Sequence, residues 1–206
     1  MKKIILSLLI SGSTLTFAQT HFGVKAGYNL SNMKWKLEKF DDVKFDSKSY
    51  FYAGVFAEHL FNKKFAIQGE LIFTSLGGKI QEELTQIVAN GEIVETGIAE
   101  YKFNYPQLQV PISAKYYFIK NFNVHGGFNF AFNINPTAEV NFTEDNKSDI
   151  ENVKTVNIFP FLGAEFTIVE HFSIDARYYF GAFNTNNSGV DNRFTFFQIG
   201  LGYRFR

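Results

Sequence analysis

The sequence predicts an all-β fold, an eight-stranded antiparallel transmembrane β-barrel wound as an up-and-down meander. Three observations predict it. Apolar and polar residues alternate with period two over most of the chain, and that spacing puts them on opposite faces of strands. The apolar set is rich in Phe, Tyr and Ile on every strand and contains no formal charge, which suits a wall facing lipid. Short and long connections between the alternating segments follow one another strictly, as in barrels with tight turns at one end and long loops at the other.

The first element is a targeting segment. Lys2 and Lys3 precede an apolar run over 4–10 broken only by Ser7, and Thr16-Phe17-Ala18 then places small residues before Gln19. This is the pattern of a secretory signal peptide, residues 1–18, with cleavage expected after Ala18 and a barrel domain over 19–206. The run is shorter than the about 20 residues a spanning helix needs.

The first strand is expected over 20–30, with Phe22, Val24, Ala26, Tyr28 and Leu30 on one face. The second, 51–61, shows Phe51, Ala53, Val55, Ala57, His59 and Phe61. The third, 65–73, shows Phe65, Ile67, Gly69, Leu71 and Phe73. The fourth, 108–118, has Leu108, Val110, Ile112, Ala114, Tyr116 and Phe118. The fifth, 122–132, has Phe122, Val124, Gly126, Phe128, Phe130 and Phe132. The sixth, 156–168, runs through Val156, Ile158, Pro160, Leu162, Ala164, Phe166 and Ile168. The seventh, 172–180, has Phe172, Ile174, Ala176, Tyr178 and Phe180, and the eighth, 195–205, has Thr195, Phe197, Ile199, Leu201, Tyr203 and Phe205.

The opposite faces carry Lys25, Glu58, Glu70, Lys115, Glu165, Asp175, Arg177 and Arg204. A lipocalin-like soluble barrel would turn its apolar face inward. Here the charged face is the one that suits an interior, so the membrane reading is preferred. Short turns are expected at 62–64, 119–121 and 169–171, and long, polar, mobile external loops at 31–49, 76–100, 134–153 and 182–193. Phe61, Phe65, Phe118, Phe122, Phe172, Tyr203 and Phe205 cluster at the turn side, where an aromatic girdle belongs. Pro111 and Pro160 fall inside strands, which predicts bulges or local breaks in the ladder there.

The stretch Tyr105-Pro106-Gln107-Leu108-Gln109-Val110-Pro111-Ile112-Ser113-Ala114-Lys115-Tyr116-Tyr117 resembles a segment of the PorT-like outer-membrane β-barrel family of Bacteroidetes. The Gly-x-Lys-Ala-Gly run from Gly23 to Gly27 and the Gly-x-Gly-Tyr-x-Phe run from Gly200 to Phe205 are similar too. The resemblance implies an eight-stranded outer-membrane barrel, and its founding member is implicated in protein secretion. Gln109 stands where an acidic residue is common in that family.

Counting up from the turn-side strand ends puts the inward charges in one half of the barrel. An eight-stranded barrel is only wide enough to be filled by side chains. Glu58, Glu70, Lys115, Glu165, Asp175 and Arg177 are therefore expected to interlock as a plug; a gated ion path is the alternative. Farther from the turns the same face turns aromatic, with Tyr52, Phe56, Tyr105, Phe159, Phe161 and Tyr179, joined by Phe194 and Phe196. These form either an externally open pocket or a set of rings buried among themselves.

Composition excludes much else. With no cysteine among 206 residues, disulfide scaffolds, thiolate metal sites and Cys nucleophiles are out. Twenty Lys and Arg against 20 Asp and Glu, without a basic stripe, argue against nucleic acid. A lipid A-modifying enzyme needs His, Ser and an acid together. His59 faces lipid and the strand of His125 offers no inward Ser, so no catalytic, cofactor-binding or metal residue is expected. The expected partners are outer-membrane lipid, the barrel-assembly machinery through the C-terminal strand, and envelope or secretion proteins, with the chain a monomer. The function read from the sequence is a small non-enzymatic outer-membrane barrel making envelope or surface contacts, with a secretion accessory as the alternative.

Overall fold

The structure is a computed structural model that describes residues 19–36, 42–87, 93–141, 147–187 and 191–205; the expected signal segment 1–18 lies outside them. The strands are β1 (Thr20–Lys36), β2 (Val43–Lys44), β3 (Asp46–Leu60), β4 (Phe65–Ile87), β5 (Ile93–Ile119) and β6 (Phe122–Asn133), followed by β7 (Thr137–Val140), β8 (Lys147–Asp149), β9 (Val156–Val169), β10 (Phe172–Tyr179) and β11 (Asp191–Arg204). Each of the eight alternating segments falls largely on its own strand of this set.

Pairing runs β4-β3-β1-β11-β10-β9-β6-β5, and β5 pairs with β4 again, so eight antiparallel strands form a ring. The seam joins the two ends of the chain, from Gly23↔Arg204 to Lys36↔Asp191. β2, β7 and β8 lie outside the ring, with β2 on β1, β7 on β5 and β8 on β7.

The alternation sorts the side chains as the charges demand. Tyr28, Phe51, Phe73, Phe128, Leu162, Ile174 and Leu201 point outward and are exposed. An apolar belt of this extent has no place in water, and lipid is the solvent that accepts it. Among the described residues no helix is long and apolar enough to cross a membrane; the strands make the crossing. At the turn side, rings touch along the belt: Phe65–Tyr116 at 5.1 Å, Tyr116–Phe118 at 4.9 Å and Phe172–Tyr203 at 4.9 Å between centroids.

The three short turns stand where the sequence put them. In the first, Asn62 Oδ1 accepts the N–H groups of Lys64 at 2.8 Å and Phe65 at 3.0 Å, which sets the bend. Of the expected long loops, residues 37–41, 88–92, 142–146 and 188–190 lie outside the described residues, and much of the remainder is strand. Residues 76–100 are mostly ladder, because β4 and β5 stay paired out to Ile87↔Ile93 as a ribbon beyond the apolar belt. β-Branched residues such as Ile80, Thr85, Ile87, Ile93, Val94 and Ile98 favour strand there, although the segment is polar overall. β2, β7 and β8 likewise order parts of the first and third connections.

Neither strand proline makes a bulge. Pro111 pairs with Asn129 in unbroken register on β6. On its other side the β4–β5 ladder skips Glu70 and Leu71, then resumes at Gly69↔Ile112 in the same register, so the missing N–H costs a gap and no slip. Pro160 lies just past Tyr179↔Phe161, where the ladder with β10 ends.

Tyr52 lies across the cross-strand pair Gly27↔Gly200. A Cβ on Gly200 would stand 2.2 Å from the Tyr52 hydroxyl and 2.4 Å from the Ala26 carbonyl oxygen. Gly200→Val is expected to destabilise the barrel by about 1–3 kcal/mol, the usual cost of overpacking. The urea midpoint of folded, fast-migrating barrel on unheated gels measures it. Adding Tyr52→Ala should recover part of the loss, and an unshifted midpoint in the single variant would place the ring elsewhere.

Candidate functional site

The interior is built in cross-strand rows. One runs Gln198, Arg177, Gly163, His125, Lys115 across β11, β10, β9, β6 and β5. The next row toward the turns runs Asp175, Glu165, Asn123, Tyr117. A basic row therefore lies over an acidic one, offset by the two-residue period of inward side chains. Asp175 and Glu165 sit directly opposite each other, a pairing that repels unless cations bridge it.

The cations are there. Lys115 Nζ lies 2.6 Å from Glu58 and 3.0 Å from Glu165, and donates to Gln68 Oε1 at 2.7 Å. Arg177 pairs with Glu70 and, through Nε, with Asp175 at 2.6 Å. Lys25 Nζ stands between Glu165 at 3.4 Å, Asp175 at 3.5 Å and Glu70 at 3.6 Å. All six residues picked from the sequence meet in this one buried network. Lys115 is 1% exposed and Arg177 2%.

Sequence reasoning placed Lys25 and Arg204 inward but left them out of the network. It did not see Tyr117, whose hydroxyl donates to Glu58 at 2.9 Å. Arg204 Nη2 closes the turn-side end by donating to Glu58 Oε1 at 3.1 Å. The signal for Lys25 was present in its parity. Tyr117 also follows from parity, but an aromatic among charges reads as core rather than as a donor.

Above the charges lies a belt of amides. Gln109 donates to Gln107 Oε1 at 2.9 Å, Gln107 to Asn133 at 2.8 Å, and Asn29 to Thr74 at 2.6 Å. Gln109 is buried in this belt, bonded through its side chain to Gln107.

The aromatic residues do not form an open pocket. Tyr52, Phe56, Tyr105, Phe159, Phe161 and Tyr179 are all buried. Phe161 stacks on Tyr179 at 4.9 Å and Tyr179 on Phe196 at 4.1 Å, and Tyr105 meets Phe194 edge-on at 4.9 Å. Phe56 belongs to the charged level, with Lys25 Nζ 5.4 Å from its ring centre. The bore is too narrow to leave such rings standing around a void. The open space lies beyond them. A crevice of about 450 Å³ is lined by Tyr105, Trp35, Phe103 and the β8 end, and a bowl of about 1010 Å³ opens at the turn side.

The external end is a polar cap over an apolar cluster. Trp35, Phe45 and Phe103 pack edge-to-face at 4.8–5.6 Å. On the outer face, a row runs Asp46, Lys79, Lys102, Glu139, Lys147 across β3, β4, β5, β7 and β8. Glu100 binds Lys102 at 2.7 Å and Lys79 at 3.6 Å. The Lys102 hydrogen bond, followed by that of Gln81, holds the Glu100 carboxyl down to about 2.

For catalysis the interior offers little. His125 Nε2 lies 3.3 Å from Asp175, but its other nitrogen faces Asn123 at 3.2 Å, so no serine bonds the ring. Among the described residues no three His, Asp or Glu are placed to hold a metal ion.

Residues 17–187 match a family profile described as outer membrane protein beta-barrel domain. Among solved structures the chain is similar to Ail, the attachment invasion locus protein of Yersinia pestis, in complex with the heparin analogue sucrose octasulfate. The identity is 16%, over 91% of this chain and 99% of that one, with a TM-score of 0.51. A second Ail structure from Yersinia pestis gives 15% identity over 91% and 99%, with a TM-score of 0.50. Neisserial surface protein A gives 14% over 89% and 97%, with a TM-score of 0.48. No curated protein sequence matches. At these identities the likeness to Ail is one of fold.

Proposed function

The chain belongs to the outer membrane protein beta-barrel domain family and resides in the outer membrane, and from that premise we propose that it is a non-enzymatic, non-conducting barrel that meets other molecules through its external cap. Export by a leader cut after Ala18 is part of the proposal. The observation that carries it is the filled bore. Charges, amides and rings succeed one another along the axis and nearly all are buried, which supports a bore without a continuous water path. What the molecule can offer is therefore at its ends, and the external end is the one that projects, with the β4–β5 ribbon and the β7–β8 flap rising beyond the belt.

The test is conductance of the folded protein in a planar bilayer. Silence in a preparation whose gel mobility shows folded barrel is the expected result. Stable, discrete openings would overturn the reading, and neutralising Glu70 and Lys115 would then ask whether the network lines the path.

The Ail structure holds a heparin analogue, but here the cap's outer row balances its own charge. Lys79 and Lys102 share Glu100, and Lys147 faces Glu139 at 3.8 Å. A polyanion is not the partner we propose. Nor does the PorT-like stretch favour secretion. It lies wholly within β5, and its inward residues Gln107, Gln109, Ser113, Lys115 and Tyr117 are buried, so this segment serves the filling of the barrel.

A further inference from the structure

We propose that the turn-side bowl is a binding site for a phosphate-bearing membrane lipid, whose acyl chain enters the bowl and whose phosphate is held by its basic rim. The inference is independent of the external-contact reading.

The bowl has the size of a ligand site, at about 1010 Å³. Sites that take small molecules usually run to about 300–1,000 Å³ and combine apolar walls with a few placed polar groups. The walls here include Leu60, Ile119, Val169 and Phe205. The charged groups are Lys63, Lys64, Lys120 and Arg204 against a single acid, Glu170.

The contrast with the buried network and with the outer row of the external cap gives the rim its meaning. The buried network pairs each of its cations with carboxylates, and the external cap pairs Lys79, Lys102 and Lys147. Lys63, Lys64 and Lys120 make no ion pair among the described residues. Arg204 spends Nη2 on Glu58, while its Nε, shielded from solvent, has no hydrogen-bond partner. The rim is also fixed in place: the Lys64 carbonyl accepts the Tyr117 N–H and the His171 carbonyl accepts that of Arg204, each at 2.8 Å. A net positive bowl with low-dielectric walls concentrates anions.

Apolar walls make a bare anion a poor fit, and the cations make a neutral detergent a poor fit. A phosphate on an acyl chain satisfies both. Its source is adjacent, because the aromatic girdle of Phe61, Phe65, Phe118 and Phe172 marks the membrane interface beside the bowl.

The experiment uses native mass spectrometry on the protein extracted in dodecyl maltoside. Dodecyl phosphate is the probe, and inorganic phosphate the competitor. One dodecyl phosphate per chain is expected, bound at least tenfold more tightly than in the variant Lys63→Ser/Lys64→Ser/Lys120→Ser. These lysines are exposed, so the variant should fold, and gel mobility checks it. The variant carrying Arg at all three positions should retain binding. Equal affinity in wild type and the serine variant overturns the site. Displacement of the probe by equimolar inorganic phosphate overturns the lipid in favour of a free anion.

Discussion

Lys115→Met is expected to destabilise the barrel by about 3–5 kcal/mol, the range seen when one partner of a buried ion pair is removed. The ammonium lies between Glu58 and Glu165, and both carboxylates are buried. Methionine fills similar volume but leaves Glu58 with Arg204 and Tyr117, and Glu165 with Lys25 at 3.4 Å and the Asn123 amide at 3.3 Å. The urea midpoint of the folded band, at constant slope, reads the loss. Adding Glu165→Gln should return part of it, because the second substitution removes one of the stranded charges. A loss under about 1 kcal/mol would mean that the ammonium is not shared between those carboxylates.

Leu162→Arg is expected to cost about 2–4 kcal/mol, and Val156→Arg only about 0–1. Both positions face outward on β9, with Leu162 62% exposed and Val156 42%. Leu162 is near the middle of the strand, where lipid is driest. Val156 begins the strand at the external end, where a long side chain can reach water. The pair separates a membrane wall from a soluble one. On a water-facing surface, both arginines would be within about 0.5 kcal/mol of wild type, and that result would sink the lipid-facing assignment. Lys115 and Leu162 together test whether, within the apolar belt, this barrel accepts charge on its inner face and rejects it on its outer one.

The ring was legible because its cause is local. Parity alone decides whether Val24 or Lys25 meets lipid, and parity can be read from the chain. The turns were legible for the same reason, since Asn62 sets the first one with its own side chain. The ladder's extension beyond the belt was not. Polar composition between residues 76 and 100 signals water, but water does not forbid a paired strand, and the register Lys79↔Lys102 depends on residues far apart in sequence.

The site was legible in part. Counting heights brought the six charged residues together, because a strand rises evenly. It could not tell which carboxylate each cation reaches. That choice follows from tilt and register, which put Lys25 near Glu70, Glu165 and Asp175 on other strands. The aromatic pocket failed for a steric reason: parity says that Phe159 and Phe196 point inward, but not that their rings meet 5.4 Å apart and pack on each other. The free cations of the turn-side rim belong to turns, where period two has nothing to say.

The seam between β11 and β1 sets how the molecule can come into being. Every other strand contact in the ring joins neighbours along the chain, whereas this one joins its ends, with the Phe205 N–H donating to Phe22 O at 2.7 Å. The entropy lost in closing a loop grows with its length, and this loop is nearly the whole protein. Nascent hairpins can form early, but none of them is a smaller barrel. A chain stopped before β11 would present two strand edges to hydrocarbon, where each bare backbone group costs several kcal/mol. Closure of the ring therefore waits on β11, whose pairing with β1 is what covers the last two edges.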